Sequence, residues 1–158
     1  MDGRKRIAIY GGTFDPVHRG HVEVAKQTVE LFGITELRFV PARQAPHKLE
    51  REVTPPLHRY AMLALATQNE PRLLVSSFEI DAPDRRYTID TLAHFRAELE
   101  EDSELFFIMG ADSWAEITTW REWERVVRSA NHIVVTRPGY DVKLEHDGAN
   151  GAAQIVDI

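Results

Sequence analysis

The sequence predicts an α/β domain built on a doubly wound parallel sheet, and three observations carry that expectation. Short, near-continuous apolar runs alternate with longer segments of helical periodicity along the 158 residues. Runs of that kind are strands covered on both faces, as in parallel sheets. Strict alternation of strand and helix then requires right-handed βαβ crossovers, which place helices on both sides of the sheet.

The strands are expected at residues 6–10, 37–40, 73–76, 105–109 and 132–136. Between them, Val22, Ala25, Val29 and Phe32 mark the apolar face of a first helix that ends at Gly33. Leu57, Ala61, Ala64 and Leu65 mark a second, opened by Thr54 as a cap with prolines in its first turn. Ile89, Leu92, Phe95 and Leu99 make a third, with the Thr88 hydroxyl as a candidate cap, and Trp120, Trp123 and Val127 a shorter fourth. Residues 141–153 carry few apolar side chains and read as a mobile surface loop, and Gln154 to Ile158 reads as a final strand.

Composition narrows the function. Hydrophobic residues make up 43% of the chain, enough for one domain to hold a core without a staple. The absence of cysteine excludes a disulfide framework, a thiol nucleophile, an iron–sulfur cluster and a zinc ribbon, and it is compatible with a reducing compartment. A net charge of −6 argues against a protein whose main work is gripping a nucleic-acid backbone. The apolar run after the basic start, Ile7 to Tyr10, is too short for a signal-peptide core or a membrane span.

Ligands of doubly wound sheets bind beyond the carboxyl ends of the strands. There, after the first strand, stands Gly11-Gly12-Thr13-Phe14-Asp15-Pro16-Val17-His18-Arg19-Gly20-His21. It is neither a Gly-x-Gly-x-x-Gly nor a P-loop, so hydride transfer and P-loop chemistry lose their usual support. Two glycines at a strand end still let backbone amides approach an anion, and the next helix points its positive end at the same place. His18 and His21 share the first turn of that helix and could stabilise charge on a phosphate. Taken alone, the pair also reads as partly exposed helix-start residues, with Asp15 capping the turn, and a zinc site would need further ligands.

The whole string resembles the nucleotidylyltransferase superfamily marked by His-x-Gly-His. Ala45-Pro46-His47-Lys48, Arg59 with Met62-Leu63, Glu79, and Arg86-Tyr87-Thr88-Ile89-Asp90-Thr91-Leu92 are similar to segments of the nicotinate mononucleotide adenylyltransferases, in order. Phe107 to Ser113, Trp120, Trp123 and Arg137-Pro138-Gly139 complete the series, so the resemblance spans residues 6 to about 140. It implies a Rossmann-like nucleotidylyltransferase fold and a cytoplasmic enzyme that joins nicotinate mononucleotide to the adenylyl group of ATP. The products would be deamido-NAD and pyrophosphate, with Mg²⁺ accompanying ATP.

The resemblance assigns roles by position. His18, His21 and Lys48 would be catalytic; Gly11, Gly12, Thr13, Phe14, His18, His21 and Arg137 would bind ATP and its phosphates. Thr88, Asp112, Trp120 and Lys48 would hold nicotinate mononucleotide, Trp120 by stacking on the pyridine ring and Asp112 at a ribose hydroxyl. Amides at the helix start near Thr88 would suit a carboxylate better than an amide. Trp123 reads instead as a core anchor. The loop with Arg43, His47, Lys48 and Arg51 would act as a cationic lid. No membrane and no nucleic acid are expected as partners, and self-association stays open.

Three departures accompany the match. Ala45 replaces a proline, Arg86 replaces a serine, and the Ile-Ser-Ser-Thr-x-Ile-Arg motif of the family's ATP site is absent, since Ser76-Ser77 follows the third strand. The chain is therefore expected to be a single domain, residues 1–158, lacking that last helical region. Two alternatives remain at this point. One is a pantetheine-phosphate adenylyltransferase-like enzyme, which suits the length but not the Tyr87 to Leu92 segment and Trp120. The other is an incomplete nucleotide-binding module with little turnover.

Overall fold

The computed structural model describes residues 4–43, 53–84, 86–136 and 153–157. Six parallel strands are seen among them: β1 (Arg6–Gly12), β2 (Glu36–Pro41), β3 (Leu73–Val75), β4 (Glu104–Gly110), β5 (Asn131–Thr136) and β6 (Ala153–Asp157). They lie in the order β3-β2-β1-β4-β5-β6, so the winding reverses between β1 and β4. The five expected strands and the expected final strand are all present. Residues 137–152, which include all but the last residue of the expected surface loop, lie outside the described residues.

Alternation along β1 explains why both faces are covered. Ile7 and Ile9 join one core with Phe107, Met109, α4 (Thr88–Glu98), α5 (Ala111–Ala115) and α6 (Trp123–Ser129). Ala8 joins the other with Phe39, Phe106, Ile108, α1 (Arg19–Phe32) and α2 (Pro56–Thr67). α1 buries Ala25 and Val29 as expected, with Val22 and Phe32 half-buried against the same core, and it ends on Gly33 in the left-handed region (φ 61°).

α2 departs from its expected orientation. Leu57 and Leu65 are 69% and 66% exposed and Ala61 and Ala64 face solvent, whereas Arg59, Leu63 and Thr67 are buried. The reason is hydrogen bonding. The Arg59 guanidinium, with no exposed surface, donates to the carbonyls of Thr54 (2.8 Å), Thr13 (2.8 Å) and Arg43 (3.3 Å). Bonds to three carbonyls outweigh the area that two leucines would bury. Nor does Thr54 cap α2 with its side chain; its amide donates instead to Asp15 Oδ2 at 3.0 Å.

The fourth expected helix is split. Trp120 closes a 3-10 turn (Ile117–Thr119), and α6 begins at Trp123 after Glu122 in a left-handed conformation (φ 51°). Trp114, which periodicity did not single out, is the fully buried indole. Trp123 packs half-buried against the first core, the anchor expected of it. A one-turn helix, α3 (Phe78–Asp81), was not anticipated.

Candidate active site

A cavity of about 440 Å³ opens at the carboxyl ends of β1 and β4, where the winding reverses. Gly11, Gly12 and Thr13 form one wall, Thr88 and Thr91 of α4 another, and Phe107, Ser113 and Trp120 a third. Phe107 and Trp120 meet edge to face at 6.4 Å, so an apolar corner stands beside a polar one. That is the chemistry of a site for a flat ring carrying charged groups.

The two histidines lock each other at the start of α1. The His18 amide donates to His21 Nδ1 at 3.0 Å, the Gly20 amide donates to His18 Nδ1 at 3.1 Å, and the rings stack at 3.8 Å. A nitrogen that accepts a hydrogen bond carries no proton, so with both Nδ1 atoms accepting, Nε2 is the donor of each ring. Burial, with a smaller push from His18, lowers the His21 pKa to about 4, so His21 is neutral at physiological pH. A Cβ at Gly20 would lie 2.9 Å from His18 Cε1, so any side chain there would push the His18 ring from its place.

The expected site residues fall into four groups. Gly11, Gly12, Thr13, Thr88 and Trp120 line the cavity together. His18 and His21 stand at the head of the helix that follows β1, outside the lining itself. Phe14 is 4% exposed and packs edge-on against His21 at 5.1 Å and against Tyr10 and Phe39, so it supports the histidine from within the core. Asp112 is exposed on the first turn of α5 and does not line the cavity, although Gly110 and Ser113 beside it do. Lys48 and Arg137 lie outside the described residues, as do Ala45, His47 and Arg51 of the expected lid. Arg43, at the edge of that loop, donates to the Ala82 carbonyl.

Thr88 is the first residue of α4 rather than its cap; Tyr87 holds the cap position and its amide donates to Asp90 Oδ2 at 2.9 Å. Gly11 and Gly12, expected to make a turn, are paired residues at the end of β1, and Asp15, expected to cap that turn, accepts from the Thr54 amide and ties the segment after β1 to the approach to α2.

Sequence reasoning gave no role to Glu79, which reaches the cavity from α3 and accepts a hydrogen bond from Thr91 Oγ1 at 2.8 Å. Burial pushes its carboxyl up to about 7, opposed by the Thr91 bond and helped by Asp90. The folded protein thus holds a proton that the unfolded chain has released, and stability falls as pH rises from about 4.5 to about 7. Glu79→Gln should remove that slope. Urea unfolding from pH 4 to pH 8 should show the variant gaining up to about 3 kcal/mol on the parent across the range. A difference that stays constant with pH would refute the assignment. The signal available in sequence was the placement of an acidic residue just after a strand, which does not distinguish a cavity from solvent.

The fold and the site together define a nucleotidyltransferase: a switch-point cavity, two glycines that close β1 at its rim, and a helix start bearing two imidazoles. The sequence profile of the cytidylyltransferase-like family matches residues 9–155. The chain is 43% identical over 140 residues to the probable nicotinate-nucleotide adenylyltransferase of Corynebacterium jeikeium, spanning 89% of this chain and 70% of that protein. With the protein of that name from Saccharopolyspora erythraea it shares 42% identity over 158 residues, 100% of this chain and 74% of the relative. The nicotinic acid mononucleotide adenylyltransferase of Plasmodium falciparum, solved in complex with NaAD, superposes with a TM-score of 0.80 at 23% identity, over 98% of this chain and 76% of that one. This chain belongs to the cytidylyltransferase-like family, among its nicotinate-nucleotide adenylyltransferases.

Proposed function

We propose that the chain transfers the adenylyl group of ATP to nicotinate mononucleotide, yielding deamido-NAD and pyrophosphate, a step of NAD biosynthesis. The observation that carries this reading is the start of α1, where His18 and His21 both accept backbone hydrogen bonds at Nδ1 and stack, following a strand whose end lines a cavity of about 440 Å³. The attacking atom is a phosphate oxygen of the mononucleotide. A phosphomonoester loses its second proton at about pH 6, so this nucleophile is ionised without a general base. It attacks the α-phosphorus of ATP as the bond to the β,γ-pyrophosphate breaks, and pyrophosphate leaves with that electron pair.

In this reading the chain positions two polyanions in line and stabilises charge on the transferring group. His18 and His21 donate to phosphate oxygens, and Gly11 and Gly12 at the end of β1, with Thr13 after it, line the approach. Lys48 and Arg137 add cationic contacts. Trp120 stacks on the pyridine ring, Thr88 sits at its carboxylate, and Asp112 serves a ribose hydroxyl. Phe14 acts by holding His21 in place rather than by touching ATP. Among the described residues no three His, Asp or Glu side chains converge as a metal cage. Mg²⁺ would accompany ATP, as the resemblance to the adenylyltransferases implies, held by triphosphate oxygens and water. A net charge of −6 favours small phosphorylated substrates over nucleic acid. No described helix is long and apolar enough to cross a membrane; a cytoplasmic setting is what the resemblance to the bacterial adenylyltransferases implies.

Pyrophosphate release, measured with ATP and each of nicotinate mononucleotide, nicotinamide mononucleotide and phosphopantetheine, tests the reading. Turnover is expected to be fastest with the first. Preference for phosphopantetheine would support the pantetheine-phosphate alternative, and nucleotide binding with no pyrophosphate release would support a binding module.

A further inference from the structure

We propose that Arg86 is a specificity-determining residue that pairs with the anionic substituent on the substrate's ring. The assignment rests on the adenylyltransferase reading and names the group at this end of the cavity that recognises the ligand. Arg86 precedes Tyr87, the cap position of α4, and lines the cavity. It is half-buried, and its Nε is shut off from solvent without a hydrogen-bond partner.

Nε itself is closed to solvent and to any ligand, and among the described residues the terminal nitrogens of the guanidinium make no hydrogen bond or ion pair either; those are the atoms that an anion in the cavity would meet. The guanidinium lies 6.0 Å from the centre of the Phe78 ring and makes no ion pair there. The carboxylates near it are engaged. Asp81 accepts from Ser77 Oγ at 2.6 Å, Glu98 is held by Arg38 and His94, and Glu79 accepts from Thr91. Glu116, the other acidic residue of the lining, is exposed.

The position says which anion is expected. Arg86 shares this part of the cavity with Thr88 and Thr91 on the first turn of α4, whose helix end favours negative charge. A planar guanidinium matches a carboxylate in bidentate fashion, whereas a carboxamide offers it only one oxygen and no charge. The substrate class is therefore a pyridine mononucleotide bearing a ring carboxylate. The 5′-phosphate is the other anion of the same molecule, and the test separates the two.

Arg86→Gln and Arg86→Lys are compared with the parent by calorimetric titration and by kcat/KM, using nicotinate mononucleotide and nicotinamide mononucleotide. Both ligands carry the same phosphate and only one carries the carboxylate. Arg86→Gln should weaken nicotinate mononucleotide about 10- to 100-fold and leave nicotinamide mononucleotide within about threefold, with Arg86→Lys intermediate. An equal loss for both ligands would reassign Arg86 to the phosphate and overturn the proposal. No change for either, in a parent that binds both, would overturn it while leaving the adenylyltransferase reading intact. A parent that binds neither mononucleotide would overturn the two together.

Discussion

His21→Ala should slow adenylyl transfer by about 10²- to 10³-fold while nucleotide affinity changes by less than about threefold, the pattern of a donor aimed at charge that develops in the transition state. The geometry behind this is the pair of Nδ1 acceptors that fixes both protons on Nε2. Alanine also removes the acceptor for the His18 amide, which costs about 1 kcal/mol of helix capping. His21→Asn separates the two effects, since its amide oxygen can accept that bond but offers no donor at the Nε2 position. Single-turnover kinetics should find both variants slow. A transfer step unchanged in His21→Asn would remove His21 from the mechanism and leave it a cap. Because burial holds the His21 pKa near 4, its loss of the neutral form should not shape the rate profile between pH 5.5 and 8, a window set about 1.5 units above that value.

Arg59→Leu should destabilise the fold by about 3–5 kcal/mol in urea or thermal unfolding. The substitution adds apolar area to a buried site and still loses, because it leaves the carbonyls of Thr13, Arg43 and Thr54 without their donor. Burial lowers the Arg59 pKa and neighbouring Asp15 opposes the shift, so the charge is retained where it is useful. Activity should fall along with stability, since Thr13 belongs to the cavity wall. Arg59→Lys should recover part of the stability, as one ammonium cannot reach three carbonyls with the geometry of a planar fork. A loss below about 1 kcal/mol in Arg59→Leu would mean that water satisfies those carbonyls and that something else turns α2.

Comparison of α1 with α2 shows where sequence reading succeeds. In α1 the expected face of Val22, Ala25, Val29 and Phe32 is the one that packs on the core, with Leu31 left exposed and Thr28 buried beside it. In α2 periodicity chose the side of Leu57 and Leu65, and the protein buries the side of Arg59. Periodicity weighs area residue by residue, and the carbonyls that need Arg59 belong to three distant segments. Trp120 and Trp114 differ in the same way. Both are indoles after β4, and only the break at the 3-10 turn leaves one half-buried in a cavity wall and the other sealed in the core.

The alternation of apolar runs and helical segments determined the parallel sheet, and the order of glycines and histidines from the end of β1 marked the place for phosphate. Both are local patterns, carried by side-chain period and by spacing within one turn. Folding decided which face of α2 turns inward, the proton position on each histidine, the protonated tendency of Glu79 and the unpartnered guanidinium of Arg86. Each of those depends on what lies across a gap of many residues, where hydrogen bonds must be matched and charge is removed from water, and a one-dimensional pattern carries no record of that neighbour.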